Sequence, residues 1–193
     1  MRYICFDTES AYYRDKRDGF ATLAEQREFI AKNKFRFDCA VAYDSASGKY
    51  HSFKTAERLV NRLLLADQLV SHSGKLVDLL ILEQVCDGAG VQALLQKRHT
   101  DLFELGGSQS LDTLAQRLIP STKSREELRY EAHCAAINRM LPDKNGWQPD
   151  GKRYALKLAK ARRDVALTRG VFLAFAATGG GGGARALINR RVA

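Results

Sequence analysis

The order of the short apolar runs constrains this chain most. Residues 2–6 are aromatic, β-branched or apolar and stop at Asp7, as a buried strand does when it meets polar chemistry. Residues 35–43 and 49–53 repeat that signal and are joined by Ser45-Ala46-Ser47-Gly48, a turn sequence. A helical pattern over 20–33 precedes them. From Thr55 onward helix and strand alternate. Thr55 caps a helix with Leu59, Val60, Leu63 and Leu64 on its apolar side, 67–71 reads as a strand, and 75–85 as a helix closed by Asp87-Gly88. A short strand over 100–105 and a helix over 110–118, stopped by Pro120, come next. The capping box Ser124-Arg125-Glu126-Glu127 opens a helix to about Met140, a loop over 142–151 follows, and a long helix runs over 153–177. Hairpinned strands followed by alternation predict an α/β protein, a mixed β-sheet flanked by α-helices.

At 193 residues the chain suits one domain, expected over 1–178, with the five glycines 179–183 opening a flexible linker and basic tail over 179–193. The formal charge of +9 is unevenly placed. Residues 151–193 carry ten Lys or Arg and a single acid, Asp164, whereas residues 1–150 carry 21 of each sign. A local basic patch of that kind suits phosphate-rich partners, and a solvated helix face is the plainer alternative. No apolar run approaches the roughly 20 residues of a membrane span, and the first residues are too acidic for a signal peptide, so no membrane role is expected. Cys5, Cys39, Cys86 and Cys134 form no CxxC pair, which excludes a zinc knuckle or redox motif and reads as a reduced, cytoplasmic protein. Cys5 and Cys39 fall in strand runs and are expected to be buried.

Three segments carry chemistry. Asp7-Thr8-Glu9 closes the first strand, and residues two apart on a strand share a face, which sets the two acids about 7 Å apart by strand rise. Adjacent acids repel unless a cation sits between them, and oxygen ligands suit Mg²⁺ or Mn²⁺; a solvated strand end is the alternative. Asp78 is a lone acid among Leu76, Val77, Leu79, Leu80, Ile81 and Leu82, where ionisation is costly without a partner. His72, six residues before it, is a candidate ligand or substrate contact, or a hydrogen-bonded turn histidine. Asp164 shares a helical face with Arg153, Lys157 and Lys160. That arrangement fits a metal-holding carboxylate with phosphate-binding neighbours, and equally an intrahelical salt bridge. Tyr12, Tyr13 and Arg14, just after the acid pair, suit stacking and phosphate contact on a single strand, or a surface loop.

Asp7-x-Glu9 on the first strand, His72-Ser73-Gly74 with Asp78-Leu-Leu-Ile-Leu, and Asp164-Val-x-x-Thr168 in the last helix together resemble the three motifs of the DEDD 3′–5′ exonucleases, DnaQ-like branch, over residues 1–177. The resemblance implies an RNase H-like fold and two-metal hydrolysis of phosphodiester bonds at a single-stranded 3′ end of DNA or RNA. It implies two Mg²⁺ or Mn²⁺ ions on Asp7, Glu9, Asp78 and Asp164. Asp7 would bridge both ions, with Glu9 and Asp164 on the nucleophile side and Asp78 on the outer side. The chain departs from the family at one point. Family members carry a Tyr four residues, or a His five residues, before the last Asp, and here Lys160 and Ala159 stand at those places. An ordinary lysine is a cation and no base, so Lys160 is expected on a phosphate, with His133 as a conceivable substitute base. A catalytically weak or inactive nucleic-acid-binding subunit of a larger assembly is the second expectation.

Overall fold

The structure is a computed structural model that describes residues 1–12, 23–32, 35–86, 88–119 and 151–178. Five strands form one sheet in the order β3-β2-β1-β4-β5. They are β1 (Tyr3–Tyr12), β2 (Phe35–Asp44), β3 (Lys49–Phe53), β4 (Gln68–Ser71) and β5 (Arg98–Asp101). β2 pairs antiparallel with β1 on one side and β3 on the other, and β4 and β5 continue the sheet in parallel with β1. The helices are α1 (Leu23–Lys32), α2 (Ala56–Leu63), α3 (Asp78–Val85), α4 (Gly88–Leu95), α5 (Leu102–Leu105), α6 (Leu111–Leu118) and α7 (Gly151–Thr178). A mixed sheet flanked by helices in this order is the RNase H-like α/β arrangement.

Strand alternation sorts the core into two layers. Ile4 and Phe6 of β1, with Ala40, Ala42 and Phe53, face α2, α3 and α4 through Leu59, Leu63, Leu79, Leu82, Val91 and Leu94. Cys5, with Val41, Tyr43 and Val70, faces α6 and α7 through Leu114, Ala161, Val165, Val171 and Phe172. Leu59, Leu63 and Leu82 have no solvent exposure. Truncating any one of them to alanine costs about 2–5 kcal/mol. Cys5 and Cys39 are wholly buried, as their strand setting predicts.

Several boundaries differ from the sequence expectation, each for a local reason. Strand β1 does not stop at Phe6 but runs to Tyr12, because β2 pairs with it beyond Asp7. Helix α3 starts at Asp78 rather than 75, since the Asp101 carboxylate takes the backbone N–H groups of Ser73 (2.7 Å) and Lys75 (3.0 Å) into a turn. Helix α3 ends at Val85, where the sequence places its end. Helix α4 follows, its glycine-rich start offset by burial of Val91 and Leu94; a Cβ on Gly90 would stand 3.0 Å from Val60 Cγ1. The expected strand over 100–105 ends at Asp101, whose side chain caps α5 by accepting the Phe103 N–H at 3.0 Å. The helix expected over 124–140, the loop over 142–151 up to its last residue, and the linker and tail 179–193 lie outside the described residues.

Candidate functional site

Alternation along β1 decides where each acid of the first motif goes. Odd-numbered Asp7 and Glu9 share the face of Cys5 and look towards α7, while Thr8 belongs to the opposite face, that of Phe6 and α3. On the α7 side, Asp7, Glu9 and Asp164 bring ligand oxygens within 4.8 Å of one another. On the α3 side, Asp78 is 5% exposed, and its Oδ1 accepts the Thr8 backbone N–H at 3.1 Å and the Thr8 hydroxyl. Asp78 is thus held at the Thr8 backbone, outside the group that converges within 4.8 Å but close enough to act on Asp7.

The acids are strained electrostatically. Burial, then Asp78 and Glu9 beside it, push the Asp7 carboxyl well above the usual carboxylate range, with Lys160 only partly offsetting them. Asp7 Oδ2 is buried with no hydrogen-bond partner among the described residues. Burial also pushes Asp78 up to about 6, against the hydrogen bonds from Thr8. A buried carboxylate oxygen without a donor, next to two further carboxylates, fits a hard divalent cation with oxygen ligands.

One cation already stands there. Lys160 Nζ donates to Glu9 Oε1 and lies 3.3 Å from Asp164 Oδ2, while Arg163 Nη2 reaches Asp164 Oδ1 at 2.7 Å. Burial alone would lower the Lys160 pKa, but the charges of Glu9, Asp7 and Asp164 and the Glu9 hydrogen bond together raise it. Lys160 stays protonated and has no basic lone pair at neutral pH.

The bulge beside Glu9 places the next cation. Glu9 pairs with Cys39 and Ser10 with Phe37, so Asp38 is the extra residue on β2. Asp38 accepts from Arg36 at 2.8 Å and from Lys157, whose Nζ also reaches Ser10 O at 3.4 Å. Lys157 is 8% exposed. It was expected on an open phosphate-binding face; instead its ammonium is spent inside the molecule, closing the bulge against α7.

The loop before α3 is built on close approaches. Ser71 Oγ accepts the Gly74 N–H at 3.1 Å and lies 2.7 Å from His99 Nε2. A Cβ on Gly74 would stand 2.5 Å from Ser71 Cβ and 3.2 Å from Asp78 Oδ2, so glycine is required beside the acid. His72 pairs through Nε2 with Gln109 O at 2.9 Å and packs edge-on against Phe103, the hydrogen-bonded turn alternative. Tyr154 is half-buried, with the Lys54 ammonium 5.7 Å from its ring centre.

No family model and no curated protein matches the chain. Among solved structures it is similar to the family B DNA polymerase from the hyperthermophilic archaeon Pyrobaculum calidifontis, with TM-score 0.55 and 13% identity over 91% of this chain. The chain spans about a quarter (25%) of that polymerase. At this identity the likeness is one of fold.

Of the residues singled out by sequence, Asp7, Glu9 and Asp164 converge, Asp78 is held at the backbone of Thr8 between the first two, and Lys160 joins them from α7. Tyr13, Arg14, His133 and the side chains of Tyr12 and Arg153 lie outside the described residues. Thr8, Asp38, Gly74 and Asp101 were given no role of their own. Thr8 alone carried a usable signal, since it sits between the two acids and the alternation that unites Asp7 with Glu9 aims it at the other face. No helix among the described residues is long and apolar enough to cross a membrane.

Proposed function

We propose that this chain is a metal-dependent phosphodiesterase of the DEDD 3′–5′ exonuclease type, acting on the single-stranded 3′ end of DNA or RNA. The observation that carries the reading is the convergence of Asp7, Glu9 and Asp164 within 4.8 Å, together with the buried Asp7 Oδ2, which has no donor among the described residues. This cluster, Asp7 foremost, would hold Mg²⁺ or Mn²⁺, with Asp78 adding negative field beside it. A divalent ion there would acidify water for attack on phosphorus and offset the charge that develops on the phosphoryl and leaving oxygens.

The protein's own part is to hold charges in register. The reaction forms one bond from a water oxygen to phosphorus and breaks the bond to the leaving sugar oxygen, which ends protonated. Ala159 has no group to take the water's proton, and Lys160 is held protonated by Glu9, Asp7 and Asp164. Lys160 therefore acts as a fixed positive charge facing the scissile phosphate, not as the base. The polarity of attack rests on the motif resemblance. Shortening of 3′- and 5′-labelled single strands in Mg²⁺, Mn²⁺ or EDTA tests the reading, with Asp7→Asn as control. Metal-dependent loss from the 3′ end that Asp7→Asn abolishes is expected; absence of any such cleavage overturns it.

One observation favours a second reading. The Lys160 bridge between Glu9 and Asp164 neutralises part of the cluster without any metal. Strand binding that persists in the same samples without cleavage would assign the chain as an inactive nucleic-acid-binding subunit of a larger assembly.

A further inference from the structure

Lys160 stands where the cluster would otherwise need a cation. Its ammonium is engaged by Glu9 Oε1 and Asp164 Oδ2, and Arg163 holds the other Asp164 oxygen. Two of the three converging carboxylates are thus already contacted by charge delivered from α7. Asp7 is different, because its Oδ2 is buried without a donor among the described residues. The charge count points the same way. With all four carboxylates ionised, as a bound cation would hold them, Asp7, Glu9, Asp78 and Asp164 set against Lys160 and Arg163, the cations in contact with them among the described residues, leave two negative charges. One divalent ion closes that difference; two would leave the site two charges positive before a phosphodiester contributes its single negative charge. Desolvated, uncompensated charge of either sign is costly.

We propose that this site takes a single divalent cation, centred on Asp7, and that the Lys160 ammonium permanently fills the second cation position between Glu9 and Asp164. The inference rests on the metal-site reading above and specifies how many ions the site accepts. Lys160 is one helical turn before Asp164 and tethered to it through the backbone, so its charge arrives with folding and is independent of metal concentration. A lysine lacks the open coordination positions of a metal, so it can offset charge on a phosphate oxygen but cannot acidify water.

The test counts ions. Mn²⁺ bound per chain is measured by equilibrium dialysis, with free Mn²⁺ read by electron paramagnetic resonance. The full chain is compared with Lys160→Met, Lys160→Gln and Lys160→Arg, and circular dichroism verifies that each is folded. One ion is expected in the full chain and in Lys160→Arg, and two in Lys160→Met and Lys160→Gln, a doubling of stoichiometry. Mn²⁺ is then expected to raise the melting temperature of the uncharged variants more than that of the full chain, since each occupied site adds its own stabilisation. Two ions in the full chain overturn the inference whatever the variants do, as does a single ion in folded Lys160→Met and Lys160→Gln. Ions in the uncharged variants but none in the full chain also overturn it, because the ammonium then excludes metal altogether. No ion in any of the four proteins removes the metal-site reading itself.

Discussion

Thr8 donates both its backbone N–H and its hydroxyl to one oxygen of Asp78, a residue seventy positions further along the chain. This double contact pins the first turn of α3 to the strand that carries Asp7 and Glu9. A buried carboxylate loses more when a donor is removed than an exposed one does. Thr8→Val, which keeps the shape and deletes the hydroxyl, is therefore expected to cost about 1–3 kcal/mol in urea unfolding. Thr8→Ser restores the donor and is expected to recover most of that loss. Equal stability of Thr8→Val and the parent would show that the hydroxyl does not hold Asp78.

Gly74 sets how closely the loop before α3 approaches Asp78. Its missing side chain leaves room for Ser71 Cβ, 2.5 Å from where a Cβ would lie, and Asp78 Oδ2, 3.2 Å away. Gly74→Ala must push Ser71 and Asp78 apart and is expected to lower the melting temperature and weaken Mn²⁺ binding several-fold. Adding Ser71→Gly to Gly74→Ala removes the principal clash and should return part of both. A double variant no better than the single one would place the damage elsewhere.

His99 gives the fold a pH dependence whose sign follows from its burial. Its ring lies against Phe6 and pairs with Ser71, and burial, aided by Lys75, pushes its pKa down from 6.5 to about 3. Between those values the unfolded chain binds a proton that the folded chain refuses. Stability is then fully present above about pH 6.5 and is lost as pH falls towards 3, by on the order of 3–5 kcal/mol. Urea midpoints measured from pH 7 to pH 4 should fall steeply for the parent and more gently for His99→Gln. Parallel curves for the two proteins would remove His99 as the source.

How far the sequence discloses this molecule follows from the range of each interaction. The hairpin β2–β3, the Thr55 cap, the helix expected over 110–118 and helix α7 are legible because turn residues, caps and apolar periodicity act within a few residues. The length of β1 is not, since polar Asp7, Thr8 and Glu9 read as a strand end until β2 is seen pairing alongside them. Helix α4 is hidden by Gly88 and Gly90, whose low helix propensity is overruled by the burial of Val91 and Leu94 against distant elements. The same holds for the basic C-terminal region. As a sequence it reads as a phosphate-binding face; in the fold Lys157 and Lys160 meet carboxylates from β2 and β1. Arg162 and Arg169 lie over the rings of Tyr50 and Tyr43, 5.3 and 4.4 Å from their centres. Spacing along a helix shows which side chains share a face but not what the rest of the chain puts opposite them.

Lys157 and Asp38 allow that last point to be tested. Asp38 is the bulged residue of β2, is 7% exposed, and is served by Lys157 from α7 and Arg36 from its own strand. Removing one partner of a buried pair leaves charge behind, so Lys157→Met is expected to destabilise by about 2–4 kcal/mol, with Arg36 limiting the loss. Adding Asp38→Asn removes the stranded charge and should recover a large part of it, a coupling that a double-mutant cycle reads directly. The same variant separates an internal lysine from a phosphate-binding one. An ammonium already held by Asp38 releases no counterions when a strand binds, so the salt dependence of single-stranded nucleic-acid affinity should be the same for the parent and Lys157→Met. A shallower salt slope in a folded Lys157→Met protein would return Lys157 to the phosphate face that its helical spacing suggests.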